Sequence, residues 1–155
     1  MLTWRLQDKL TMIIRPLAQP WHLSSTLLQE AALCVGILGG HDKWTAFVHD
    51  CFEQQDQFND ENMMKMTPNE TRDRLAKMGA KHGIDEKKMR DMLVNKGHGG
   101  NAVTPMLIHC VHQARQQGVH YSPSVTLNGI YKPEIDSKCS EKDWKDLLNK
   151  LGIKA

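Results

Sequence analysis

Asn128-Gly129 lies between two short runs of β-forming residues, YSPSVTL and IYKPEI. This dipeptide favours the tight type I′ turn that joins two antiparallel strands. The hairpin it predicts follows a long stretch, residues 23–117, in which apolar residues recur only at helical spacing. A chain that keeps its strands at its two ends and its helices between them must fold as an α/β or α+β layer structure. Pro123 opens the first run. A proline at the start of a strand cannot donate to the sheet there, so it sits where the sheet meets something else.

The other strand signal is near the N-terminus. Residues 9–17, KLTMIIRPL, hold the β-branched Thr11, Ile13 and Ile14, and Pro16 limits the run. Ser24 or Ser25 is a candidate N-cap for a helix carrying Leu27, Leu28, Ala31, Ala32 and Val35, which Gly39-Gly40 breaks. A second helix fits 42–55, with Trp44, Phe47, Val48, Cys51 and Phe52 on one buried face. NDENMMKM reads as a polar connection. Thr67-Pro68-Asn69-Glu70 is a helix start with a capping box and proline at the first helical position, and the helix runs to about Lys81 with Gly83 beyond it. Asp85 caps the next helix, through about Val94. Val103, Met106, Leu107, Cys110 and Ala114 stripe a helix over 102–117 that Gly118 stops. Ser140 caps the last one, with Trp144, Leu147, Leu148 and Leu151 on one face.

Bulk properties exclude several classes. The 155 residues suffice for one domain with a core. A net charge of +2 is too balanced to point to nucleic acid or a membrane surface. No apolar run approaches the ~18 residues of a membrane-spanning helix. MLTWRLQDKL has no continuous apolar stretch and is not a signal peptide, so the default expectation is the cytoplasm. The cysteines, at 34, 51, 110 and 139, include no Cys-x-x-Cys and no zinc-knuckle spacing, and they read as buried free thiols, with Cys139 exposed in DSKCSEKD. No metal or other cofactor is expected.

The order of these elements, with Gly118-Val119, Ser122-Pro123-Ser124-Val125, Asn128-Gly129 and a closing helix, resembles the thioredoxin superfamily in its DsbA-like branch, which carries an inserted helical domain. LAKMGAKHGIDEKKMRDML is similar to that branch's insert. The resemblance covers most of the chain from about residue 9. It implies a single α/β domain over 1–155: a thioredoxin-like sheet and closing helix from 9–17 and 118–155, and a helical insertion over 23–100. It also implies that Pro123 is cis and that Ser122, Pro123 and Ser124 form a groove for an extended peptide. Ser124 stands where threonine is commoner. Pro123 would face a Cys-x-x-Cys.

That partner can be placed in two registers. One puts Gln19-Pro20-Trp21-His22 at the dithiol position, but the parallel strand that should follow is not found in 23–117. The other reads 9–17 as that later strand. MLTWRLQDK is then the tail of the first helix and its loop, and the first strand, with its dithiol, falls before Met1. The second fits the order and lengths better. Neither supplies a low-pKa thiolate with a resolving thiol, which dithiol exchange needs. A sheet without its first strand has open edges that invite pairing: a second copy fills the gap, the N-terminal ten residues do, or the chain is a fragment, and a homo-oligomer is expected if it is complete.

Three functional readings follow. The first is a module without redox cysteines that binds an extended peptide or protein, or itself. The second is the larger part of a thiol–disulfide oxidoreductase whose dithiol lies outside this chain. The third is a glutathione-using, kappa-like transferase with Ser24 or Ser25 near the site. Trp21 and His22 are a further candidate site: His22 near a helix start can bind an anion or move a proton, while the plainer reading packs Trp21 and leaves His22 in a loop. His109 and His112 share a helix face with no second pair of ligands. Met63, Met64 and Met66 fit either an adaptable surface or filling beneath the helices.

Overall fold

The computed structural model describes residues 2–6 and 9–153. The chain forms two compact units, one of residues 16–113 and one combining 1–15 with 114–155. Among the described residues, no strand lies between Ile14 and Thr126.

The larger unit is helical. Helix α1 (Ser25–Glu53) carries a kink at Gly40, whose φ of 75° and ψ of −167° are closed to residues with a Cβ. Gly40 is not helical, so the two helices read from the sequence meet at a break where the glycines were expected to place one. A short 3₁₀ turn (Gln55–Phe58) and α2 (Asp60–Met63) follow, the latter capped by Asn59, where the sequence suggested only a connection. Helix α3 (Pro68–Lys81) has the expected capping box: the Glu70 N–H donates to Thr67 Oγ1 at 3.2 Å, and the Thr67 N–H donates to Glu70 Oε2 at 2.7 Å. Helix α4 (Glu86–Leu93) is capped by Asp85, which accepts from the Lys88 N–H at 2.7 Å. Helices α1, α3 and α4 pack on one another. Their shared core includes Phe47, Leu75, Met89, Leu93, Val35 and Cys34, all fully buried. Each large apolar side chain buried this way contributes about 1.5–3 kcal/mol.

Helix α5 (Thr104–Gln116) leads out of this unit into the other. The smaller unit holds two separate two-stranded antiparallel sheets. In the first, β1 (Leu2–Leu6) pairs with β2 (Leu10–Ile14), Leu2 opposite Ile14 and Leu6 opposite Leu10. In the second, β3 (Thr126–Leu127) pairs with β4 (Ile130–Tyr131) across Asn128-Gly129, whose φ values of 49° and 82° are those of the expected turn. Helix α6 (Glu141–Lys150) closes the chain, capped by Ser140.

Two readings are corrected, for residues 2–6 and for Phe52. Residues 2–6 form a strand, not a helix tail. Leu2, Trp4 and Leu6 alternate with Thr3 and Arg5, the period of two that a strand requires. Phe52, placed on a buried face, is 68% exposed because α1 ends there and its last turn runs past the core. The apolar face of α6 is not buried: none of its residues is, and Trp144 keeps 39% of its surface.

Candidate functional site

Helix α5 ends where the sequence places its stop. Gly118 adopts φ 68°, and the Val119 N–H returns to the Ala114 carbonyl at 2.8 Å. The chain then runs to Ser122, Pro123 and Ser124, and the Ser122–Pro123 peptide is cis. Ser122 and Pro123 are exposed and Ser124 is half-buried. The Ser124 hydroxyl donates to the Tyr121 carbonyl at 2.6 Å, folding the segment around the proline. The Lys132 N–H donates to the Val125 carbonyl at 2.9 Å, which extends the β3–β4 hairpin by one rung toward Ser124. Tyr121 and Tyr131 meet through their hydroxyls, 2.6 Å apart. That hydrogen bond raises the Tyr131 phenol above the ordinary tyrosine range. The result is an exposed segment held from both sides by a helix stop and a tight hairpin. The tyrosine pair was not singled out in the sequence. Its signal there was weak, two tyrosines bracketing a proline and an Asn-Gly turn.

Trp21 and His22 belong to the other unit. They lie in a turn before α1, in which the His22 N–H donates to the Gln19 carbonyl at 3.2 Å. Trp21 does not pack there; it is 60% exposed. Asp60 of α2 anchors the turn. Its Oδ1 accepts from the Leu23 N–H at 2.9 Å, and its Oδ2 lies 3.1 Å from His22 Nδ1. These contacts, the Leu23 amide first, hold the Asp60 carboxyl below the ordinary aspartate range. Ser24 occupies the N-cap position of α1 without making a side-chain cap. Ser25 Oγ instead accepts from the Gln19 N–H at 2.9 Å.

The thiols fall into two groups. Cys34 and Cys110 are buried, while Cys51 and Cys139 are partly exposed. Burial pushes Cys34 up to about 11. Burial, with the Asp50 charge beside it, pushes Cys51 up to about 12. Cys139 is not fully exposed as read; its thiol turns toward the Glu134 carbonyl at 3.6 Å. Of the clustered methionines, Met63 is buried and accepts from the Thr71 hydroxyl at 3.8 Å, whereas Met64 is 81% exposed. His109 and His112 are both exposed on α5. Among the described residues, no three His, Cys, Asp or Glu side chains gather closely enough to hold a metal ion.

One polar cluster was missed in the sequence. Glu30, on the apolar side of α1, is 3% exposed. Its Oε2 accepts from Asn101 Nδ2 and its Oε1 from the Thr104 hydroxyl, each at 2.6 Å. Asn101 Oδ1 also accepts from the Val103 and Thr104 amides, at 3.0 and 3.1 Å, and so caps α5. A glutamate among Leu27, Ala31 and Cys34 on a helical stripe was the available signal. It ties α1 to the start of α5.

The sequence matches no protein-family model and no curated protein. Among solved structures, the chain is similar to the crystal structure of a "putative protein-disulfide isomerase from Pseudomonas syringae". The TM-score is 0.67 and the sequence identity 24%, over 92% of this chain and 75% of that one. The chain thus has a thioredoxin-like fold with a helical insertion. Among the described residues, no helix is long and apolar enough to cross a membrane.

Proposed function

We propose that this chain serves protein thiol–disulfide exchange as the part that holds an extended polypeptide, with Ser122, Pro123 and Ser124 as the docking segment. What supports this reading is the fold shared with a protein described as a disulfide isomerase, together with an exposed, braced segment at the position where the family resemblance implies a peptide groove. The 155 residues contain no Cys-x-x-Cys. Burial raises the pKa of Cys34 and Cys51, which disfavours either as an attacking thiolate. The test is binding of a reduced, carboxymethylated unfolded protein by the purified chain, beside an insulin-reduction assay. Saturable binding that Ser122→Trp abolishes, with no reductase activity, is the expected result. Binding unaffected by Ser122→Trp would remove the docking segment from the account.

A second reading is favoured by the share of the neighbour that is covered, 75%. In it, a dithiol outside residues 1–155 faces Pro123, and the redox activity belongs to a longer protein. The intact mass of the natural protein separates the two. A mass near 17.7 kDa supports the binding module, and a mass several kilodaltons higher supports the longer oxidoreductase.

A further inference from the structure

The tyrosine pair beside the docking segment has a chemistry of its own. Tyr121 leads into Ser122, Tyr131 belongs to β4, and the two hydroxyl oxygens are 2.6 Å apart. Ser124 braces the same stretch, donating to the Tyr121 carbonyl at 2.6 Å. Both rings nonetheless keep about half their surface in solvent, 54% for Tyr121 and 44% for Tyr131. An exposed tyrosine normally turns freely and loses that freedom when it binds. Here the hydroxyl cross-link orders both rings before any ligand arrives.

The same cross-link limits what can cover the rings. One hydroxyl donates to the other, and an apolar group laid on the ring faces leaves that bond in place. An anionic group would meet a Lys132 ammonium that already has a carboxylate, that of Glu134, 3.6 Å away.

We propose that the Tyr121–Tyr131 pair is the side-chain selector of the docking segment, seating one aromatic or long aliphatic side chain of an extended polypeptide against its two rings. The inference rests on the reading of Ser122–Ser124 as the docking segment. Tyrosine suits the task because it offers a large ring with few torsions to fix.

The test uses fluorescein-labelled ten-residue peptides of Gly, Ser and Thr with one variable central residue, Phe, Leu, Ala or Asp, followed by anisotropy. The wild-type chain should bind the Phe and Leu peptides about tenfold more tightly than the Ala peptide, and the Asp peptide no better than Ala. Tyr121→Ala with Tyr131→Ala should erase that preference, bringing the Phe and Leu peptides to within about twofold of the Ala peptide in the same variant. Tyr131→Phe keeps the ring and loses the cross-link, so it should weaken the Phe peptide by about threefold and remains informative if the double variant does not fold. Preference for Phe and Leu surviving in the double variant, or unchanged Phe-peptide affinity in Tyr131→Phe, overturns the selector and leaves the docking segment standing. Tightest binding of the Asp peptide also overturns it. Peptide binding that is absent, or insensitive to Ser122→Trp, removes the docking segment and the selector with it.

Discussion

Glu30 offers the sharpest test of how the helical unit is held. Both its carboxyl oxygens act as acceptors at 2.6 Å, one for Asn101 Nδ2 and one for the Thr104 hydroxyl, and the residue is 3% exposed. Truncation in Glu30→Ala removes both bonds, each worth about 1.5–3 kcal/mol when the acceptor is charged. The released donors are partly rehoused. Asn101 Nδ2 keeps the Leu93 carbonyl at 3.5 Å, and the Thr104 hydroxyl can turn to Asn101 Oδ1 at 3.1 Å. Relief from burying a carboxylate offsets a further part. The expected loss is therefore near the lower bound, about 3 kcal/mol, or about 1.5 M in urea midpoint at a common slope of about 2 kcal/mol per M. Glu30→Gln behaves differently. Its oxygen can accept from Asn101, and its amide can donate to Thr104 Oγ1 once that hydroxyl turns to Asn101 Oδ1. Both links survive at neutral strength, so the cost should be about 1 kcal/mol. The assay is urea unfolding by circular dichroism at 222 nm. It is joined by hydrogen exchange at the Val103 and Thr104 amides, which Asn101 caps. A Glu30→Ala loss below about 0.5 kcal/mol, or a Glu30→Gln loss equal to it, would refute the reasoning.

Three further outcomes are expected. Gly40→Ala should cost about 1–3 kcal/mol through backbone conformation alone, because no atom lies within 4 Å of where the new Cβ would sit; unchanged unfolding would mean the kink is not fixed. With thiols held at about 11 and about 12, Cys34 and Cys51 should resist iodoacetamide at pH 8 in the native protein, by mass spectrometry, and react once urea unfolds it. Asp60, whose folded pKa is depressed, stabilises the Trp21–Leu23 turn above the unfolded aspartate value, and that contribution fades as pH falls through the folded one. Exchange at the Leu23 amide should therefore gain extra acid sensitivity that Asp60→Asn lacks, and equal profiles would discount the anchor.

The helix ends and the hairpin were the most legible parts of the sequence, because each rests on local chemistry. Thr67 with Glu70, Asp85, Ser140, Gly118 and Asn128-Gly129 all act within a few residues of themselves, and the structure places each as the local rule requires. What was less legible depends on distant partners. Glu30 finds Asn101 and Thr104 across more than 70 residues of sequence, and Asp60 reaches back 37 residues to Leu23. No periodicity reports such pairs. The N-terminal strand was a different kind of miss. Its alternation was visible in LTWRL, but the family register assigned those residues to a helix tail, and the local pattern carried the fold.

The same division applies to the candidate site. Ser122, Pro123 and Ser124 were found through a resemblance, and the structure adds the physical bracing that local rules can explain: a helix stop on one side, a type I′ hairpin on the other, and a hydroxyl cluster between them. A binding edge needs this kind of order, since an exposed segment that must be organised by its ligand loses affinity in the process. A dithiol needs something more, a thiol at a helix N-terminus with its pKa lowered. Burial moves Cys34 and Cys51 the opposite way, to about 11 and about 12, so neither is set up as the attacking thiol of such a pair.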